Sequence, residues 1–159
     1  MTLMFSTLMG SLVQSSSGAG EVQLQIEVSV EDLRQGHVII HSVLHNFKNV
    51  DLRFLPWSTP LTKHMIAPVF KVYFAQKLLP YNGVSVKQIA PQSADYITLE
   101  AGGNLSGNLL IDRAYNFCEP GEYEVIYEGQ LPLLNGSMLP VTSNRIEFSL
   151  DDGIGKCGQ

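Results

Sequence analysis

Several motifs that would name a chemistry are missing from this chain. There is no C-x-x-C pair, which excludes a zinc ribbon and a thioredoxin-type redox site. No H-E-x-x-H, no G-x-S-x-G and no D-x-D-x-D-G loop occurs, so the usual signatures of a zinc protease, a serine hydrolase and a calcium loop are absent. Gly102-Gly103 follows a strand-like stretch without opening a helix, so it is no phosphate loop. No stretch sustains an apolar stripe at the 3.6-residue helical period, which argues against a helical bundle. Basic residues are also few. Ten Lys and Arg stand against fifteen Asp and Glu, a net charge of −5, so a nucleic-acid binder that neutralises phosphates is not expected.

The positive signal is period-two alternation. Val22, Leu24, Ile26, Val28 and Val30 alternate with polar residues, as in a half-buried strand. A polar turn over 31–36 leads to a β-branched run over 37–47. Further strands are predicted near 52–55, 69–74, 84–89, 96–100, 104–111, 121–129 and 144–150. One helical turn is expected within 63–68 and another within 112–116. In 121–129, Tyr123, Val125 and Tyr127 share one face opposite the acids. Pro80-Tyr-Asn-Gly83 predicts a turn centred on Asn-Gly. About eight or nine short strands at this spacing read as one all-β, antiparallel sandwich domain over 21–150, followed by a loop-like tail over 151–159.

The segment Leu52-Arg-Phe-Leu-Pro-Trp-Ser-Thr-Pro-Leu61 organises the rest. Its two prolines keep it extended or turning, and Trp57, the only tryptophan, is expected to be buried there beside Pro60. Residues 1–20 are read as a signal-peptide-like or disordered segment. They hold an apolar run followed by small residues, with Ser17 and Ala19 at the −3 and −1 positions, but they lack a basic leader. The apolar run is too short for a membrane span of ~20 residues. A secreted or periplasmic protein is therefore expected, and in it Cys118 and Cys157 should pair.

Candidate functional residues are sparse. His37, His41 and His45 recur every fourth residue, but on a strand such neighbours lie ~13 Å apart, too far to share one ion. No metal site and no cofactor is expected from them, and a metal-dependent enzyme built on this row is the weakest reading. Charge is unevenly spread. Residues 34–87 carry seven basic side chains against Asp51 alone, and 95–152 carry ten acids against Arg113 and Arg145. This suggests either two solvated surfaces or a domain that meets a partner on its basic side.

One set of motifs, taken in order, resembles a known family. It runs Leu55-Pro-Trp-Ser-Thr-Pro-Leu61, Phe70-Lys-Val72, Pro80-Tyr-Asn-Gly83 with Lys87, Asp95-Tyr-Ile-Thr-Leu-Glu-Ala-Gly102, Asp112-Arg-Ala-Tyr115 and Gly121-Glu-Tyr-Glu-Val-Ile-Tyr127. The set is similar to the N-terminal propeptide-like β-domain of deuterolysin-type (aspzincin) zinc endopeptidases, over roughly residues 22–150. The resemblance implies an Ig-like antiparallel β-sandwich of about 7–9 strands that inhibits or chaperones such a peptidase. In that family the zinc ligands and general base sit in a later domain bearing H-E-x-x-H. This chain contains no such motif, so no catalytic residue carries over. Tyr81, Asn82, Gly83 and Lys87 are then the candidate partner contacts: an aromatic at a turn and a nearby charge. The rival reading is an extracellular binding module for a glycan or a cell-surface protein, on the same scaffold.

Overall fold

The computed structural model describes residues 21–154; the signal-like segment and Cys157 lie outside them. Strand β1 (Val22–Val28) forms where the alternation is strictest. It ends because Ser29 caps a single helical turn, α1 (Val30–Arg34), its hydroxyl accepting from the N–H groups of Glu31 and Asp32. The expected polar turn is thus a short helix, and Val30 is exposed on it. Next come β2 (Ile39–Asn46), β3 (Leu52–Phe54), β4 (Lys71–Phe74) and β5 (Lys77–Leu78). A 3-10 turn at Ser93–Asp95 leads to β6 (Ile97–Leu99) and β7 (Asn104–Leu110). The chain continues with β8 (Gly121–Ile126), β9 (Glu128–Pro132), β10 (Met138–Thr142) and β11 (Ile146–Leu150).

These strands build antiparallel sheets in the orders β1-β2-β7, β11-β8-β4-β5, β3-β6 and β9-β10. The buried faces of the two larger sheets share one core. Leu24, Ile26, Ile40, Leu44 and Leu109 come from the first, and Val72, Tyr123, Val125, Phe148 and Leu150 from the second. Strand β2 shows the cause, since every second residue is buried and the intervening His41, Val43 and His45 are not. Tyr123 sits at the centre of an aromatic group with Phe74, Phe117 and Phe148, ring centroids 4.7–5.8 Å away. Each such pair adds about 0.5–1.5 kcal/mol beyond its buried area. Its hydroxyl donates to the carbonyl of Glu119 at 2.6 Å, closing the turn that precedes β8.

Five expectations need correction. The described residues form eleven strands, more than the 7–9 expected, because the two-residue strand β5 and one hairpin escaped notice. That hairpin is β9-β10, and the Asn-Gly turn lies there, not at residues 82–83. Gly136 has φ +88°, and Leu133 and Ser137 close the loop at 2.9 Å. Residues 84–89 join no sheet, and 63–68 contains no helical turn. Trp57 is half-buried, not a core residue. The corner is held instead by Thr59, 1% exposed, whose hydroxyl donates to the Pro56 carbonyl and accepts from the Leu61 N–H. Pro60 is buried beside it.

Two asparagines complete the frame. The Asn144 side chain pairs with both backbone groups of Ile26, at 2.8 and 2.9 Å, and so satisfies the outer edge of β1. Asn46, 1% exposed, donates to the carbonyls of Val50, Leu99 and Glu100 and accepts from the Lys48 N–H. It ties β2 to the ends of β3 and β6.

Candidate partner-binding face

The candidate contacts Tyr81, Asn82, Gly83 and Lys87 lie on one long connection between β5 and the 3-10 turn. The Tyr81 ring folds back over Gly83, so closely that a Cβ there would lie 2.6 Å from its Cζ. The close approach, not an unusual φ, is what favours glycine here. The Tyr81 hydroxyl donates to the Val84 carbonyl at 2.5 Å, and its ring meets Tyr115 edge-on at 5.7 Å. Partial burial pushes its phenol above the ordinary value near 10. The backbone N–H of Asn82 donates to the Ala114 carbonyl at 2.8 Å. Tyr81 therefore braces its own loop, while Asn82 and Lys87 are exposed.

Beyond Gly83 the chain leaves the body of the protein. Every residue from 84 to 94 is exposed, among them Val84, Val86 and Ile89 at 66%, 51% and 80%. Exposed aliphatic residues are ordinary one at a time; here two valines and an isoleucine stand on one segment outside the sheets, beside Lys87. The arm is nonetheless anchored. The Val86 N–H donates to the Ile66 carbonyl at 3.0 Å, and Arg53 reaches the Ser93 carbonyl at 3.2 Å. The Asp95 carboxylate accepts from the Gln92 N–H at 2.7 Å.

Through the Asn82–Ala114 bond the root of the arm rests on the turn after β7. Ile111 accepts there from the N–H groups of both Ala114 and Tyr115, which gives the expected turn over 112–116. Tyr115 is buried, donates to the Phe70 carbonyl at 2.5 Å, and burial pushes its phenol up to about 12. Asn82 stands between two hollows. One, of about 420 Å³, is lined by the cationic side chains Lys63 and Arg113, with His64 and Val84. The other, of about 880 Å³, is lined by His37, Asp112, Asn116 and Phe117.

The histidine row does not converge. His37 pairs with Asp112 at 3.2 Å, His41 bridges Asp32 and Asn108 at 2.7 and 2.8 Å, and His45 stacks on Phe47 at 5.6 Å. The hydrogen bond to Asp32 raises the pKa of His41 above its ordinary 6.5. Among the described residues no group of three or more His, Cys, Asp or Glu is placed to hold a metal ion. Cys118 is disulfide-bonded, and the partner expected for it, Cys157, lies outside the described residues. The basic and acidic segments are partly interleaved, because β4 pairs with β8 and brings Lys71 within 2.7 Å of Glu128. None of the His37–Asp112, His41–Asp32 and Asn144–Ile26 partnerships has a short-range signal, since each joins separate elements. No described helix is long and apolar enough to cross a membrane.

No protein-family model matches the chain. It is 28% identical over 102 residues to an extracellular protease of Aeromonas hydrophila, covering 64% of this chain and 28% of that protein. It is 29% identical over 123 residues to a neutral protease 2 homolog of Uncinocarpus reesii, covering 74% of this chain and 33% of that protein. The chain thus spans about a third or less of the curated relatives it matches, and its sequence is distantly related to proteases, one of them extracellular.

Proposed function

We propose that this domain is an exported, non-catalytic Ig-like β-sandwich that binds a deuterolysin-like zinc endopeptidase and restrains or chaperones it. The observation that carries the reading is the similarity to two proteases of which this β-domain matches only 28% and 33%. The Ig-like part is supported by the strand orders β1-β2-β7 and β11-β8-β4-β5 around one core. It is also supported by the Tyr123 hydroxyl, which reaches back to the Glu119 carbonyl at the start of β8 as a tyrosine corner does.

The contact surface is the arm from Tyr81 to Ile89. Tyr81 and Gly83 hold its root, Asn82 and Lys87 offer polar contacts, and Val84, Val86 and Ile89 offer apolar area. Lys63, His64 and Arg113 beside it suit an acidic rim on the partner. Exposed charges are screened beyond ~8–10 Å at physiological salt, so rising ionic strength should weaken the complex. The test mixes purified domain with a zinc endopeptidase from the same organism and measures binding and hydrolysis. A complex, with slower hydrolysis or better recovery of active enzyme, supports the reading. No complex and no change in rate at ~100 μM removes it, because a specific interface of ordinary size binds more tightly.

A further inference from the structure

The exposed arm is tied down at its two ends and nowhere between. On the near side the Val86 N–H donates to the Ile66 carbonyl. On the far side Arg53 donates to the Ser93 carbonyl, and the Gln92 N–H donates to the Asp95 carboxylate. Residues 87–91 are all exposed and exchange no hydrogen bond with any described residue. An endopeptidase takes its substrate by pairing with free backbone N–H and C=O groups, so a segment already released from its own fold is open to it. Lys87 heads this segment and is the only Lys or Arg from 78 to 112.

The other described basic residues have no such setting. Arg53, Lys71 and Lys77 lie in strands. After Arg34, three successive N–H groups bond back into α1. The N–H of half-buried Lys48 donates to Asn46, and Arg145 pairs with Glu124 at 3.0 Å, one residue before β11. Lys63 stands among half-buried Thr62, Met65 and Ile66, and Arg113 precedes buried Ala114 and Tyr115.

We propose that the Lys87–Gln88 peptide bond is a regulatory cleavage site, where an endopeptidase that cuts after basic residues splits the arm and leaves the domain folded. Water is the co-reactant: the C–N bond breaks, Lys87 ends in a carboxylate and Gln88 gains an α-ammonium group. The fold survives because each sheet holding strands from both sides is paired across the cut. Strand β2 pairs with β7, β3 with β6 and β4 with β8, the first of each pair preceding Lys87 and the second following it. The core mixes Ile40, Leu44 and Val72 with Leu109, Tyr123 and Val125 in the same way. Both cysteines follow the cut, so no disulfide joins the two pieces and their association is non-covalent. The contact surface does not survive: Val84 and Val86 stay on the first piece, and Ile89 leaves with the second. That loss of binding rests on the arm being the docking element proposed above.

The experiment digests the intact protein briefly with trypsin and maps the cuts by mass spectrometry. Among the described residues the first cut should fall after Lys87, faster than after any other Lys or Arg by on the order of tenfold or more, and Lys87→Gln should suppress it. At ~10 μM the nicked protein should run in gel filtration as one particle of the original size, keep its far-UV spectrum, and separate only in denaturant. Its affinity for a zinc endopeptidase of the same organism should fall on the order of tenfold or more below that of uncut protein. A first cut elsewhere in the described residues, or pieces that separate or unfold on cleavage, would overturn the proposal. Equal affinity of nicked and uncut protein would overturn its regulatory part. No binding by the uncut protein would remove the function proposed above and the switch with it, while the mapped cut and the two-piece fold would stand.

Discussion

Two pieces of this molecule share one local construction and serve opposite ends. In Tyr127-Glu128-Gly129 and in Tyr81-Asn82-Gly83, a tyrosine ring folds over the glycine two positions later. The ring approaches so closely that a Cβ on either glycine would collide with it. Tyr127 is 2% exposed, packs edge-on against Phe70 at 6.5 Å, and burial raises its phenol to about 12. Its hydroxyl reaches the Ser58 carbonyl at 3.4 Å, linking β8 to the Pro-Trp-Ser-Thr-Pro corner. Tyr81 makes the same fold at the surface and spends its hydroxyl on Val84, at the root of the exposed arm. A Tyr-x-Gly clasp is thus neither a core element nor a recognition element by itself. What surrounds the ring decides: packed sheets in one case, solvent and an arm in the other.

The largest effect that tests this contrast is Tyr127→Ala, which should cost about 3–5 kcal/mol in a denaturant titration, as truncations of large buried aromatic side chains do. Tyr81→Ala should cost much less, since its ring is only partly covered. The glycines sharpen the comparison. In Gly129→Ala the new Cβ meets a ring locked in the core, and a loss of about 1–3 kcal/mol is expected. In Gly83→Ala the Tyr81 ring can swing outward, so stability should change by less than about 1 kcal/mol, while the loop root is remodelled. Equal costs at both glycines would break the distinction.

An alkaline titration read at the phenolate absorbance separates the same two tyrosines. Tyr115 and Tyr127 should hold their protons to about pH 12. Their folded pKa lies above the unfolded value near 10, so the stability they contribute is complete below pH 10 and is lost as pH rises toward 12. Tyr81 is raised by burial as well, but it sits outside the core, so Tyr81→Phe should leave alkaline unfolding nearly unchanged. Ionisation of all six tyrosines together near pH 10, without unfolding, would contradict the burial described.

Legibility from sequence follows the same boundary. The period-two pattern located β1, β2, β8 and β11 and put Tyr123, Val125 and Tyr127 on the buried face, because those strands each have one covered side. It missed the hairpin β9-β10, whose strands contain Pro132 and Pro140. Both strands of a two-stranded sheet are edges, where proline is tolerated. Asn82-Gly83 and Asn135-Gly136 carry the same dipeptide, yet only the second turns a hairpin. The expectation for Trp57 failed because Leu55, Thr59 and Pro60 take the buried positions of that corner. At the candidate site, sequence placed Asn82 in a turn but put Lys87 in a strand over 84–89, where the chain is an exposed segment outside the sheets, and it did not show the contact between His37 and Asp112. The His37–Asp112 contact joins residues 75 positions apart.

The smallest expected effect concerns His41. Its pairing with Asp32 raises its folded pKa above 6.5, so it adds stability that is complete below pH 6.5 and fades as pH rises through the folded value. The pair is partly exposed, and its contribution should be on the order of 0.2–1 kcal/mol. Asp32→Asn should flatten the dependence of stability on pH over that window and leave the arm untouched.

The most direct test of the arm as the docking element compares the native domain with the triple variant Val84→Ser, Val86→Ser, Ile89→Ser. Calorimetric binding to a zinc endopeptidase of the same organism would be measured for both. All three side chains are exposed, so thermal stability should be unchanged while affinity falls on the order of tenfold or more. Equal affinity for the two proteins would contradict the assignment of the arm, and no binding by either would contradict the function itself.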